Sequence, residues 1–400
     1  MKKTINVTLL CHRFPPAMGG GETIIYSLAK YLARKPHLRV TVITDKNKLG
    51  LSLSDKMQNG FKVINIPGFE QFATGELGIK FFLPEVFKAI NESSPDVIHA
   101  FNFYPGYVGS IFAMYNKVPF VFTYFNTPQG NNNKIQLFLG LNEQVDQALI
   151  SHLLSSLNFD YLVTLSKFYK ESTLKMGVPE DKIRWCYPGP DPEFFNPGLR
   201  SAKIRGKFDI SPSDYLIVVP ARIVPRKRIE IVVHSLLYLE DLPVKLLISS
   251  GGTVQSGYEK YYQDILNLMH KNKLENKVIF PKQQFDLSEL GSLYASSDIC
   301  VLPSAFEGLG VGILEAMQCG IPVVASNTEG ITEIIDDNKN GLLFNREDSK
   351  DLAKNIATLI KDKKLRSSIV KSAHGILQSK FDLQNFISLH EDLYEEITRS

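Results

Sequence analysis

Two glutamates, Glu307 and Glu315, stand eight positions apart in the stretch FEGLGVGILEAMQCGIPVV (306–324). Carboxylates only accept hydrogen bonds, so they suit the vicinal hydroxyls of a sugar or a ribose. A second chemical cluster lies upstream, where VVPARIVPRKRIE places Arg222 just past an apolar run and Lys227 five residues later. A guanidinium and an ammonium converging at a strand end suit a diphosphate, through bidentate bonds plus a point charge. A third is PPAMGGGE, where Gly19, Gly20 and Gly21 precede a helical pattern. Backbone without side chains can approach a phosphate or sugar closely there. The glycines are contiguous and eight residues separate them from Leu10. They are therefore not a dinucleotide G-x-G-x-x-G, and no Walker lysine accompanies them.

Each cluster also has a plainer reading. The glycines can be a turn before a helix, Arg226, Lys227 and Arg228 a solvated basic run, and Glu315 an exposed helix glutamate. Arg222 is harder to explain that way, because an arginine flush against an apolar strand needs an anion or a carboxylate.

The elements that must position these residues follow a β-then-α rhythm. INVTLL (5–10), RVTVIT (39–44), DVIHAF (96–101), PFVFTYF (119–125) and YLVTLS (161–166) read as strands separated by helical or loop stretches. Ile25, Leu28, Ala29 and Leu32 repeat at helical spacing after the glycines. The rhythm breaks at WCYPGPDPEFFNPGLR (185–200), a Pro- and Gly-rich stretch that reads as a linker. It resumes with YLIVVPA (215–221), VKLLIS (244–249), KVIF (277–280), ICVLP (299–303) and PVVAS (322–326). Two consecutive doubly wound, parallel-sheet α/β domains are expected, 1–190 and 200–380. The last helical stretch, LQNFISLHEDLYEEI, puts Leu383, Phe386, Ile387, His390 and Leu393 on one face. It either caps the second domain or crosses back onto the first. Within the second domain, 311–319 reads as a helix after a loop at 304–308, with Gly320 as its terminator. The amides of Leu309, Gly310 and Val311 then stand at a helix entrance, an anion site.

Composition sets the bounds. Four hundred residues, 44% of them hydrophobic, exceed one ordinary core. A net charge of +3 is compatible with anionic ligands or a bilayer surface but does not indicate nucleic acid. The four cysteines are dispersed, with no C-x-x-C, so a reducing, cytoplasmic compartment and no structural zinc are expected. The basic N-terminus carries too broken an apolar run for a signal peptide, and no stretch reaches 18 uninterrupted apolar residues.

Taken in order, P-x-x-x-G-G-G-E, Y-P-G-P-D-P-x-F-F-N-P, R-x-x-x-x-K, the long block from Leu293 to Ser326 and G-L-L-F resemble the retaining, nucleotide-sugar-dependent glycosyltransferases of family four. Their fold is GT-B, two Rossmann-like domains facing across a cleft. The resemblance implies that Arg222 and Lys227 hold the donor diphosphate and that Glu307, beside Gly308, takes the transferred sugar. It implies further that Leu309 and Gly310 offer amides to the phosphates, Glu315 takes the ribose, and Gly20 and Gly21 line the donor site from the first domain. The C-terminal helix 381–400 would cross back to the first domain. No cofactor or metal is expected, since the donor is a substrate and no strand-end D-x-D suits Mg²⁺.

The chain departs from the family where many members carry histidine after the strands DVIHAF and FTYFN. Phe101 and Phe125 stand there, with Asn102 and Asn126 the nearest polar groups for an acceptor. His99 reads as a packed strand residue. The segments 68–90 and 126–144 are aromatic or apolar with scattered lysines. Lys80, Phe81, Phe82, Phe87 and Lys88 are expected either to meet a membrane surface or to pack as an ordinary amphipathic helix. A lipid-linked glycan or glycolipid is the favoured acceptor, with a soluble sugar or a protein as the alternatives. The rival readings are a catalytically impaired nucleotide-sugar-binding relative and a GT-B epimerase or phosphorylase.

Overall fold

The computed structural model describes residues 3–15, 19–45, 60–69, 79–125, 151–152, 154–249, 257–281 and 285–399, with only the backbone for 79–82. It resolves into two compact units, Met1–Pro188 with Leu383–Ser400, and Gly189–Asp382. Both are all-parallel sheets with helices between the strands, the arrangement of the GT-B fold.

In the first unit, β1 (Ile5–Leu10), β2 (Leu38–Asp45), β3 (Lys62–Ile66), β4 (Val97–Phe101), β5 (Phe120–Thr123), β6 (Tyr161–Thr164) and β7 (Ile183–Trp185) run in the order β3-β2-β1-β4-β5-β6-β7. Ile5 sits opposite Leu38 and Val7 opposite Val97. Every residue of β4 and β5 is buried. Strands covered by helices on both faces need such unbroken apolar runs, not alternation. The connecting helices are α1 (Gly20–Leu32), α2 (Ile79–Ser93), α3 (Phe103–Asn116) and α4 (Lys167–Lys175).

In the second unit, β8 (Tyr215–Val219), β9 (Val244–Ile248), β10 (Val278–Ile279), β11 (Ile299–Leu302), β12 (Val323–Ser326) and β13 (Leu342–Phe344) run β10-β9-β8-β11-β12-β13. The helices are α5 (Ala202–Lys207), α6 (Ile229–Ser235), α7 (Glu259–Lys271), α8 (Leu287–Ser296), α9 (Val311–Gln318), α10 (Ser349–Lys361) and α11 (Lys363–Lys380). Side-chain caps fix several of their starts. Asp286 and Glu289 form a capping box on α8, and Asp348 and Asp362 cap α10 and α11. Ile217, Val219, Ile229, Val233, Leu246 and Ile356 belong to the core between sheet and helices.

The last helix, α12 (Leu383–Ile397), belongs to the first unit. Its face Leu383, Phe386, Ile387, His390 and Leu393 is buried. The Tyr394 hydroxyl meets His99 Nδ1 at 2.6 Å, and Glu391 pairs with Lys35 at 2.6 Å.

Three strands escape the sequence pattern, namely β3 (KVINI), β7 (IRW) and β13 (LLF). They lie at sheet edges, where a short or half-polar strand is tolerated because one side is not enclosed by the sheet. Much of the expected linker 185–200 is ordered structure. Trp185 closes β7 and Pro197–Leu199 is a 3₁₀ turn. Asp191 is buried, its side chain accepting from the Glu193 amide at 3.0 Å and its carbonyl from the Phe194 and Phe195 amides. Proline and glycine there build a tight path, not a flexible one.

In each sheet the strand order reverses between the first and fourth strands of the unit, β1 and β4 in one, β8 and β11 in the other. The loops leaving two such neighbouring strands diverge and leave a crevice at their carboxyl ends, where ligands of doubly wound sheets bind.

Candidate active site

The second switch point brings together residues far apart in sequence. After β8, the chain passes Pro220 and Ala221 and turns through Pro225–Lys227. After β11, Pro303 leads into the loop that carries Glu307. Because β8 and β11 are hydrogen-bonded neighbours, these loops meet. The Lys227 ammonium donates to Glu307 Oε1, the Ser304 hydroxyl donates to the same oxygen at 2.6 Å, and Arg226 Nη1 stands 3.9 Å from Oε2. Burial pushes the Glu307 carboxyl up, but the charges of Lys227 and Arg226 and the two hydrogen bonds outweigh it and hold it below the usual range. Burial is the largest influence on Lys227 and pulls it down to about 8, against the attraction of Glu307. At neutral pH the pair is therefore ionic.

Glu307 is not left to its own rotamer. The Ser326 hydroxyl donates to the Ser304 carbonyl, the Ala305 amide to the Arg226 carbonyl at 2.9 Å, and the Thr328 hydroxyl to the Ala305 carbonyl at 3.0 Å. Gly330, at φ +78°, lies against the backbone of Glu307 and Gly308 so closely that a Cβ would overlap the Glu307 carbonyl oxygen. Two separate segments, 226–227 and 326–330, thus clamp the 304–308 loop. Ser304 stands in the motif block, but its hold on Glu307 is a site contact that the sequence reading did not single out. Gly330 was not legible either, because nothing local shows which backbone it touches.

Beyond the loop, Gly310 takes a left-handed conformation (φ 82°) as the N-cap of α9, and Leu309 is buried beside it. A residue with a Cβ pays strain at such a φ, whereas glycine does not. The amides of this entrance lie at the positive end of α9. Glu315, one turn in, is not the solvated helix residue that its isolated spacing also allowed. Only 4% of it is exposed, and the Tyr294 hydroxyl donates to its Oε2 at 3.1 Å.

Arg222 departs from expectation in the other direction. The strand ends at Val219, so two further residues carry its side chain into solvent, where it is exposed. Arg222 is thus not a desolvated guanidinium held flush against an apolar strand. Its charge is still felt by Lys227 and by Tyr258, as is that of Arg226, so these cations form one electropositive mouth.

In the first unit, Gly20 and Gly21 make the first turn of α1, which begins two residues before Glu22, so they are part of the helix and not a turn preceding it. A Cβ on Gly21 would stand 3.1 Å from the Phe125 ring. Phe101 is buried, stacked on Phe125 with centroids 6.0 Å apart and on His99 at 4.2 Å. His99 is fully enclosed, its Nε2 2.8 Å from the Thr123 hydroxyl, and burial holds it well below the usual histidine range. Asn102 adopts φ 69° at the end of β4, and its Oδ1 accepts from the Phe125 amide at 3.0 Å. Its oxygen is thereby engaged in holding the loop after β5. Asn126 lies outside the described residues, as do the side chains of Lys80, Phe81 and Phe82. Phe87 is half-buried with its ring edge-on to Phe112 at 5.3 Å, while Lys88 is exposed. Among the described residues, His37, Glu391 and Glu395 are the only group of three with ligand atoms close enough for a metal. Lys35 and Arg399 pair with those carboxylates.

Two doubly wound units, the second with a buried cation–carboxylate group at its switch point, define a GT-B transferase. The chain belongs to the family-four glycosyltransferases. Residues 18–194 match the Glycosyltransferase Family 4 model and 201–375 the model of Glycosyl transferases group 1. It is similar at 25% identity to an uncharacterized glycosyltransferase of Methanocaldococcus jannaschii, over 98% of both chains. It is likewise 25% identical to the D-inositol 3-phosphate glycosyltransferase of Saccharomonospora viridis, over 94% of this chain and 89% of that one. Anabaena HepE, crystallised with UDP and glucose, shares its fold with a TM-score of 0.79 at 21% identity, covering 98% of this chain and 99% of that one. The chain is therefore a glycosyltransferase.

Proposed function

We propose that the chain moves a sugar, with retention at the anomeric carbon, from a nucleoside diphosphate to the hydroxyl of a lipid-linked glycan or glycolipid. The observation that carries the donor half is the Lys227–Glu307–Ser304 group at the second switch point. A diphosphate arriving beside Lys227 competes with Glu307 for the ammonium, freeing the carboxylate to accept from sugar hydroxyls. Arg222, Lys227 and the amides of Leu309 and Gly310 then stabilise the charge that grows on the β-phosphate as the sugar departs. Glu315 takes the ribose, and Gly308 leaves room beside Glu307. Gly20 and Gly21 contribute backbone from the first unit.

In the free protein Glu307 is held below its usual range, and in this reading it orients the sugar hydroxyls as an acceptor. The proton of the acceptor hydroxyl goes instead to the departing phosphate oxygen. The new C–O bond forms on the face from which the old one breaks, and the bond's electron pair stays on the nucleoside diphosphate. The step is metal-independent in this reading, because the chain's own cations supply the positive charge.

The acceptor class is supported by α3. Its outward side shows the uncharged Ile111, Met114 and Tyr115, exposed at 37%, 61% and 85%, while Tyr104 and Tyr107 are half-buried against the core. Aromatic and apolar side chains in that setting suit a bilayer interface, and no described helix is long and apolar enough to cross one. Asn102 and Asn126 are the polar groups proposed nearest the acceptor.

UDP-glucose is the first donor to try, since HepE was crystallised with UDP and glucose, followed by GDP- and ADP-sugars. Lys227→Ala or Arg222→Ala should lower kcat about 100- to 1,000-fold, as loss of a preorganised donor does; an unchanged rate refutes their roles. If wild-type protein binds donor yet never transfers or hydrolyses it with any acceptor extract, the impaired-relative reading replaces this one. Co-sedimentation with anionic vesicles checks the membrane contact, and no pelleting would remove it.

A further inference from the structure

Glu315 reaches its place with help from a neighbouring helix. Tyr294, on α8, is fully buried, with its ring edge-on to Phe195 at 5.9 Å. Its hydroxyl donates to Glu315 Oε2 on α9 at 3.1 Å. Gly312, one turn earlier on α9, removes anything that would stand between the two helices. A Cβ there would lie 3.1 Å from the Tyr294 oxygen and 3.1 Å from Pro220 Cγ, just past β8. The helix that begins at the anion site therefore rests directly on the tyrosine hydroxyl and on Pro220, in the segment that leads from β8 to Arg222. A carboxylate on an enclosed helix face can rotate about its last bond and change the direction of its lone pairs. One fixed hydrogen bond to Oε2 removes that freedom and leaves the direction of acceptance set.

We infer that Tyr294 is a positioning residue for the ribose of the donor: by holding Glu315 Oε2 it fixes how the carboxylate accepts from the ribose hydroxyls. This rests on the donor-site reading above. It assigns the hydroxyl of the Leu-Tyr-Ala-Ser-Ser-Asp segment (293–298) a role in binding in addition to its packing.

The test compares UDP, GDP and ADP with their 2′-deoxy counterparts by calorimetry on the whole chain, using the base that binds best. Wild type should prefer the ribonucleotide by about ten-fold or more, the size expected for a hydrogen bond to a charged group. Tyr294→Phe keeps the ring and removes only the hydroxyl. It should bring that preference to within about two-fold, while a merely structural role would weaken both nucleotides equally. Gly312→Ala, which pushes α9 off the hydroxyl, should do the same and serves if Tyr294→Phe fails to fold. A wild type that discriminates alongside a Tyr294→Phe that still discriminates overturns the positioning role and leaves the donor site standing. A wild type that binds a diphosphate but ignores the 2′-hydroxyl overturns the role of Glu315 and this inference with it, whereas one that binds none of the three overturns the donor-site reading itself.

Discussion

At the scale of single residues, the site rests on one buried ion pair. Removing either member of such a pair leaves the other charge uncompensated, at a cost of about 3–5 kcal/mol. Effects of Glu307 or Lys227 variants on rate must therefore be read beside their effects on stability. The pH dependence separates the two. Lys227 is held near 8, so the free protein loses this ammonium as pH rises past that value, and with it the attraction for a diphosphate. The donor kcat/KM, which reports the free enzyme, should fall on a basic limb centred near pH 8. In Lys227→Arg the limb should move upward out of the accessible range, because a guanidinium stays charged. A limb that does not move would assign the titration to another group. The Lys227–Glu307 spacing was visible in sequence only as two separate signals. Their pairing was not, since 80 positions separate them.

At the scale of elements, the geometry of Glu307 is set by a loop clamped from outside. Gly330 is the sharpest test, because its left-handed φ and its contact with the Glu307 carbonyl each exclude a side chain. Gly330→Ala should lower stability by about 3 kcal/mol or more and abolish the thermal shift given by a nucleoside diphosphate. Gly375 is the control. It lies exposed on α11 with nothing within 4 Å of a built Cβ, so Gly375→Ala should raise stability by up to about 1 kcal/mol through helix propensity. Equal melting temperatures for the two variants would contradict this account of the clamp. Element identity was largely legible. β1 and α12 occupy the expected spans, and the boundaries of β2, β4 and β8 shift by only one or two residues, because buried strands must be continuously apolar. The edge strands β3, β7 and β13 were not legible, because the edges of a sheet ask less of a sequence, although the edge strand β10 was apolar enough to be read.

At the scale of the whole molecule, the chain's end completes its beginning. α12 covers the first sheet and encloses His99 and His390, whose rings lie 5.5 Å apart. Burial holds His390 down to about 4 and His99 also below its ordinary value, the latter further opposed by His390. Groups depressed in the folded state contribute stability that is present above pH 6.5 and lost as pH falls toward the folded value. The melting temperature should therefore drop between about pH 6.5 and 4, with His390 alone accounting for on the order of 3 kcal/mol. His390→Leu should flatten that fall; an unaltered acid profile would show that other groups govern it.

What the amino-acid order determined alone is the alternation of apolar strands and amphipathic helices, the break at 185–200, and the positions where glycine, cation and carboxylate cluster. Those follow from local rules, namely side-chain period, turn chemistry and the cost of burying charge. Tertiary structure decided which clusters meet. Lys227 finds Glu307 because β8 and β11 are neighbours at a reversal of strand order. Glu315 is buried because α8 offers it a tyrosine hydroxyl. Arg222 stands in solvent because the strand stops at Val219. Partnership and exposure depend on strand order and helix packing, and no local window of sequence contains them.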